Sequence, residues 1–566
     1  MGHIILSSIR GVVFMVASKN RTSAVGRVAV RTKKGIVCSS SPLAGAIGAH
    51  VLRQGGNAVD AAIAVAAAET VTLSPMCGMG GEVFALIYDA NSTQIHGVSG
   101  GGRAPMGASR EFFVDRGYDK MPTDGPLCPS VPGEVDAWET MANRFGTMPL
   151  AELMAPAIEL AEEGFPLPRR IANYFTTHIE KLKKYPTSAR IFVKENGLPY
   201  QEGDILVQKD LARSMRQVAA GGAEEFYRGK LGKEIADGMA DGGGLLNEED
   251  LAGQKTEIYN NAPSVEFHGH TVHATGLPSQ GVLTLELMSL LDGFNLASMG
   301  HNTAETIHTM VESKRLAFTD RLAYVGDPEV VEVPMELLLS QAYAERRRKL
   351  IDPEKMADIV PAGELSDSGI PNPSTSYFCV IDTDGNAVSF IHSLSQYYGC
   401  GFVAGNTGIL LNDRTARGFY LDKDHVNVIA PGKRTINTIH NYMVTQNGKL
   451  VIVGGTPGGD NQPQWNAQVL SNIIDHGMDV QEAADAPRWT HFPGTDPRTI
   501  DQEMVLRMED GFDEKAVEGL QIRGHKLMEY PLVGTPGAVQ LIHIDPKTGV
   551  HTGGTDGRCD GFPIPE

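Results

Sequence analysis

The sequence predicts an α/β (α+β) fold in packed layers, and three features predict it. Short runs rich in β-branched and aromatic residues, each bounded by turn residues, recur in the last third at 375–381, 387–394, 450–454 and 539–544. Helical patterns stand before and between them, at 150–163, 304–324, 464–476 and 480–486. Pro and Gly are spread through all 566 residues without a linker, repeat or low-complexity tract, so nothing divides the chain into separate units. Strands flanked by helices imply layers sharing one core.

Taken in order, the N-terminus carries little signal. Ile4 to Ala17 is mildly apolar, but Arg10 interrupts it, the first residues hold no Lys or Arg, and no small-x-small cleavage site follows. Residues 1–14 read as an extension or a misassigned start. Gly55-Gly56-Asn57 then precedes an alanine-rich run, the pattern of a cap and a helix packed closely on a sheet. Leu150 to Glu163 has Leu150, Met154, Ile158 and Ala161 on one helical face, and 304–324 repeats that pattern through Ile307, Val311 and Phe318.

The stretch from Asn372 to Phe390 is the most informative. A turn-prone segment ends at Pro373, a strand starts at Thr375, the chain turns at Asp384-Gly385-Asn386, and a second strand returns. A cut at Ser374–Thr375 would free an α-amine on Thr375. One residue would then supply a hydroxyl nucleophile and the base that activates it. A threonine at a strand start means little by itself. Further on, Gly458 and Gly459 follow a predicted strand and precede the helix holding Trp465, Val469 and Leu470. Glycines let the backbone approach a ligand, and helix starts present free N–H groups, so this pair is a candidate oxyanion site. No G-x-x-x-x-G-K-[ST] run occurs, which speaks against a nucleotide-phosphate loop.

Composition narrows the partners. The net charge of −19 argues against nucleic acid and anionic membrane, which need a basic surface. No stretch is long enough to span a bilayer. Hydrophobic content of 42% suffices for a core. Six scattered cysteines form no C-x-x-C pair, and no H-E-x-x-H occurs among 17 histidines, so no metal site is expected. Free thiols fit a reducing compartment, and a cytoplasmic location is the expectation.

Several segments in order resemble the gamma-glutamyltranspeptidase family of N-terminal-nucleophile hydrolases. They are the hairpin at Thr375, the run from Gly55 through Gly80-Gly81-Glu82 to Phe84, and Gly454 to Trp465. Val131–Trp138, Phe145–Leu150, Ala161–Phe165, Phe318–Pro328 and Ala486–Trp489 add to the likeness, which runs from about Gly35 to the end. The resemblance implies a four-layer αββα sandwich. It also implies division into an extension over 1–34, a large-subunit part over 35–374 and a small-subunit part over 375–566 beginning at the nucleophile, the two parts intertwined as one globular heterodimer. By the same likeness, Gly458 and Gly459 form the oxyanion hole and Ser393 takes the place of a threonine that bonds the nucleophile. No cofactor is implied.

The substrate pocket departs from the family pattern. By spacing from Thr375, the acid that grips a substrate ammonium falls at Arg417, with Arg414 as the neighbouring polar position. Ser395 replaces an asparagine, Asn437-Thr438 replaces paired serines, and Arg103 is the nearest counterpart of an upstream arginine. Only 17 residues lead from Arg417 to Arg434, so the lid loop of the resembled transpeptidases is expected to be short or missing. Arg103, Arg414 and Arg417 are therefore expected to form a pocket for a carboxylate-bearing acyl group. These changes resemble the oxamate amidohydrolase-like and cephalosporin acylase-like branches. The leading expectation is a self-processing threonine amidohydrolase acting on a small amide with an anionic acyl part. Two alternatives stay open: a true gamma-glutamyl transferase or glutathione hydrolase, and an uncleaved binding relative.

Overall fold

A computed structural model of the chain describes residues 27–358, 375–497, 500, 502–530 and 537–566. Ser374 and residues 1–14 lie outside them. Two seven-stranded sheets carry the architecture. Their strands are β1 (Val30–Thr32), β2 (Ile36–Ser39), β3 (Glu82–Asp89), β4 (Gln94–Gly100), β5 (Glu257–Asn260), β6 (Ser264–Phe267) and β7 (His270–Ala274). After the segment outside the described residues come β8 (Ser376–Ile381), β9 (Ala387–Ser393), β10 (Tyr442–Gln446), β11 (Lys449–Gly455), β12 (Gln540–Ile544), β13 (His551–Thr555) and β14 (Phe562–Pro565). The first sheet runs β14-β2-β8-β9-β3-β4-β5, the second β1-β13-β12-β11-β10-β7-β6, and neighbours are antiparallel.

Strand alternation explains how the layers stack. Tyr377 and Cys379 of β8 enter the space between the sheets, where they meet Phe84, Met443, Val453 and Ile542. Phe378 and Val380 point the other way, into a helical layer. That layer contains α1 (Pro42–Arg53), α2 (Ala58–Thr72), α3 (Glu134–Phe145) and α4 (Leu150–Glu163). The other outer layer, over the second sheet, contains α5 (Gly281–Leu291), α6 (Ala304–Tyr324) and α7 (Asn461–Ile474). The four-layer αββα order follows. Asn441 Nδ2 also stitches the sheets, donating to the Phe84 and Ser389 carbonyls at 3.1 and 2.8 Å.

Local sequence fixes the elements nearest the site. Asn57 caps α2 by accepting from the Val59 and Asp60 N–H groups at 2.9 and 3.0 Å, and Asp60 reaches back to the Asn57 N–H at 2.9 Å. Every residue of α2 is buried, which its alanines permit. The helix expected at 464–476 begins three residues earlier, at Asn461, and places its start against the glycine pair.

Two expectations need correction. Residues 30–32 of the expected 1–34 extension form an edge strand paired with β13, because that edge offers unfilled ladder positions. Helix α6 is amphipathic in pattern, yet it is buried on nearly all sides. Its charges are compensated inside the protein: Arg315 bonds Glu312 at 2.8 Å, Asp320 receives Arg347 at 3.1 Å, and Arg321 bonds Asp460 at 2.8 Å. All six cysteines are buried free thiols. Among the described residues, no helix is long and apolar enough to cross a membrane.

Candidate active site

Thr375 stands one residue before β8, at the end of the first sheet. β8 pairs with β9 so that Ser376 faces His392, which brings Ser393 level with Thr375. The two hydroxyl oxygens lie 3.2 Å apart, both side chains buried. Ser393 Oγ also accepts the Ser395 N–H at 2.8 Å. That contact requires a tight bend, and Ser395 adopts a left-handed φ of 79°, a conformation that costs a side-chain-bearing residue about 1 kcal/mol. The Ser395 hydroxyl is buried and has no partner among the described residues.

Beside Ser393 in the register stands Glu82, the first residue of β3. Its Oε2 accepts from Arg414 Nε at 2.6 Å and from Asn437 Nδ2 at 2.7 Å. Its Oε1 accepts the Gly102 N–H at 3.2 Å. The Ser130 hydroxyl lies 3.0 Å from both Oε1 and Asn412 Oδ1, and the charged oxygen is the stronger acceptor. These four donors fill the acceptor positions of the carboxylate. Arg414 also reaches Thr438 Oγ1 at 3.1 Å through Nη1, while its buried Nη2 has no partner among the described residues.

Arg417 donates from Nε to Asp496 at 3.1 Å and from Nη1 to the Ser395 carbonyl at 3.2 Å. Arg414, Asn437 and Thr438 are thus joined around Glu82, and the Arg417 N–H bond to the Arg414 carbonyl at 3.1 Å ties Arg417 and Ser395 into the same network. The Arg103 guanidinium is not part of it. It pairs with Glu329 at 2.8 Å and with the Gly432 carbonyl at 3.2 Å, beside Arg434, and it is partly exposed. Glu329 draws it outward because that carboxylate is the nearest compensating charge.

The glycine pair lies between β11 of the second sheet and α7. Gly458 and Gly459 have φ of 144° and 53°, and a Cβ on Gly458 would lie 2.6 Å from the Trp465 ring. Gln280 Nε2 donates to the Gly459 carbonyl at 2.8 Å and also to the Thr438 carbonyl, so one amide fastens the loop to the arginine network. Arg321 bonds Gln280 Oε1 and Asp460 Oδ1, each at 2.8 Å. Burial disfavours the Asp460 carboxylate, but Arg321 and Arg417 outweigh it and draw its pKa down to about 2.

Among the described residues, two clusters carry metal-type donors: Glu69, Cys77 and His392, and His308, Glu312 and His525. Their donor atoms are engaged within the protein. His392 bonds carboxylates through both nitrogens, and His308 bonds His525 at 2.8 Å and the Asp352 carbonyl at 2.7 Å.

Sequence reasoning missed Glu82, Gln280 and Asp496. Glu82 left a signal, since it is a charged residue heading the otherwise apolar run Val83–Ile87. Gln280 and Asp496 left none.

A buried hydroxyl nucleophile candidate at a strand head, a glycine loop at a helix start and an αββα frame define an N-terminal-nucleophile hydrolase. Comparison with known proteins gives the same class. The Gamma-glutamyltranspeptidase family profile matches residues 44–565. The chain is 33% identical over 539 residues to the glutathione hydrolase-like YwrD proenzyme of Bacillus subtilis, covering 94% of this chain and 98% of that one. It is 33% identical over 544 residues to the acylase ACY 1 proenzyme of a Pseudomonas strain, covering 94% and 93%. The crystal structure of cephalosporin acylase from Bacillus halodurans superposes with a TM-score of 0.88 at 35% identity, covering 98% of this chain and 99% of that one. The chain therefore belongs to the gamma-glutamyltranspeptidase family, whose members cut or transfer amide-linked acyl groups.

Proposed function

We propose that the chain cuts itself at Ser374–Thr375 and then uses Thr375 to hydrolyse a small amide whose acyl part carries an anionic group. In the first step the Thr375 hydroxyl adds to the Ser374 carbonyl carbon and the peptide C–N bond breaks, giving an ester and a free α-amine. Water hydrolyses the ester, leaving chains of 1–374 and 375–566 as a heterodimer. In turnover the α-amine takes the hydroxyl proton as the oxygen attacks the substrate carbonyl. Ser393 orients that oxygen, and the N–H groups of Gly458 and Gly459 receive the oxyanion. The leaving amine takes the proton. Water then attacks the acyl-enzyme, releasing the acid and restoring the threonine.

Arg414 carries the substrate reading. It is a buried guanidinium whose orientation is fixed by Glu82 and whose Nη2, like the Ser395 hydroxyl, has no partner among the described residues. Such an edge suits a carboxylate or a dicarbonyl oxygen. Binding an α-ammonium would need a carboxylate with acceptor positions to spare. Glu82 has none, and the expected acid position holds Arg417.

Intact mass of the wild type beside Thr375→Ala, after incubation at neutral pH, tests the first half. Two chains, the smaller beginning at Thr375, with an uncut variant, are expected. The mature protein is then assayed on oxamate, succinamate and a gamma-glutamyl anilide. Faster turnover of the anionic amides supports the reading, and preference for the gamma-glutamyl anilide overturns it.

A further inference from the structure

Behind the Thr375–Ser393 pair lies a charged cluster that the proposed chemistry does not use. Alternation along β8 and β9 sends Ser376 and His392 to the face opposite the two hydroxyls, toward α2 and α3. Ser376 is covalently next to Thr375, and His392 is next to Ser393. His392 Nε2 lies 2.8 Å from Glu69 Oε2 and its Nδ1 lies 2.5 Å from Glu134 Oε1. The same Glu69 oxygen accepts the Ser376 hydroxyl at 2.6 Å, while its other oxygen accepts Ser39 of β2 at 2.6 Å. Glu69 belongs to α2, and Glu134 opens α3. One imidazole and two carboxylates thus tie two helices to three adjacent strands, and each of the three residues is 0% exposed.

Burial penalises an imidazolium, yet the Glu134 carboxylate hydrogen-bonded to it works against that penalty, and His392 titrates above the usual histidine range. Burial pushes the Cys77 thiol up to about 12, so it stays neutral near pH 7, and burial raises the Glu134 carboxyl as well, with His392 opposing that rise. A buried ionic group of this kind stabilises less well than packed hydrophobic residues of the same volume. Apolar side chains would be the cheaper filling here. What the cluster provides instead is direction, because hydrogen bonds to fixed carboxylates allow one placement of each strand end.

We propose that His392 is a positioning residue: held between Glu69 and Glu134, it fixes the ends of β8 and β9 so that the Thr375 hydroxyl meets Ser393 in attacking geometry. This rests on Thr375 being the nucleophile. Misplacement of a reacting group by about 1 Å lowers rates by roughly a hundredfold. Loosening the clamp therefore slows both self-cleavage and turnover while leaving substrate affinity in place.

The test compares wild type, Thr375→Ala, His392→Gln, Ser376→Ala and the double variant Glu69→Gln/His392→Gln. Self-cleavage is followed by intact mass. The kcat and KM of each mature protein are measured on whichever substrate, anionic amide or gamma-glutamyl anilide, the wild type turns over. His392→Gln and Ser376→Ala are expected to lower the cleavage rate and kcat by about tenfold or more with KM within about twofold. The double variant, which restores a neutral side-chain pair, is expected to regain part of the loss. Unchanged cleavage and kcat in both single variants, or kcat and KM falling together with thermal stability, would overturn the clamp. If His392→Gln does not fold, Ser376→Ala decides by the same criteria, since it removes only one hydroxyl. A wild-type chain that stays intact and inactive would remove the nucleophile reading and the clamp with it. Normal wild-type cleavage with indifferent variants removes the clamp alone.

Discussion

Arg414 donates its Nε–H to Glu82 Oε2 at 2.6 Å across 332 positions of sequence, with both side chains about 1% exposed. This pair holds the Arg414 guanidinium in place where a lone arginine would swing. Under the proposed reading, Arg414 would meet a ligand with one edge and not as a whole cation.

Glu82→Gln keeps the volume and removes the charge. Arg414 then remains buried without its compensating carboxylate, and a loss of about 3 kcal/mol in unfolding free energy is expected. Urea denaturation of the uncleaved Thr375→Ala background, with and without the second change, measures it. A change under about 0.5 kcal/mol would mean that Arg414 finds another partner.

Gly458→Ala places a Cβ against Trp465 at a φ that side chains rarely adopt. The loop must shift, and the N–H groups proposed for the oxyanion shift with it. We predict a fall in kcat of about a hundredfold with a smaller change in KM. Steady-state kinetics on the mature protein decide, and equal changes in both constants would argue for a binding role instead.

Ser393→Ala removes the hydroxyl 3.2 Å from Thr375, whereas Ser393→Thr keeps it. The alanine variant is expected to cleave itself about tenfold more slowly, in keeping with the loss of one oriented hydrogen bond, and the threonine variant to stay near wild type. Time courses of chain separation on denaturing gels would show the difference. Identical rates for all three would take Ser393 out of the reaction.

Acid should loosen the second sheet's side of the site. Asp460 titrates at about 2 in the folded protein, below the ordinary 3.8, because Arg321 and Arg417 overcome the effect of burial. A depressed carboxylate contributes stability that is present above pH 4 and lost as pH falls from about 4 toward 2, roughly 2 kcal/mol in all. Asp460→Asn is predicted to be less stable than wild type at pH 6 and to lose less on acidification, as read by thermal melting across that range.

The hairpin at Thr375 was legible in sequence because strand alternation and a turn triplet are local signals. So was α2, where Asn57 and the alanines declare a capped, close-packed helix. The glycine pair was legible for the same reason, since backbone freedom is written in the residue itself. The pocket was not. Which carboxylate meets which arginine depends on distant chain segments arriving together, as Glu82 and Arg414 do, or Asp496 and Arg417. Arg103 shows the converse. Its spacing suggested the pocket, but Glu329 lay closer to it in space. Helix α6 misled for a related reason: its charged residues look solvent-bound until partners from other segments cover them.

The strand order of the first sheet has a consequence for how the protein can be made. The hairpin that begins at Thr375 is inserted between β2 and β3, both of which precede it in the chain, and the second sheet is likewise interleaved from both segments. A cut before Thr375 would raise the number of polypeptides without giving either one a surface of its own. Neither fragment owns a complete sheet, so synthesis as a single chain lets each strand meet its neighbours at high effective concentration. The two pieces synthesised apart and then mixed should fail to reconstitute, even though the finished enzyme would hold them as separate molecules.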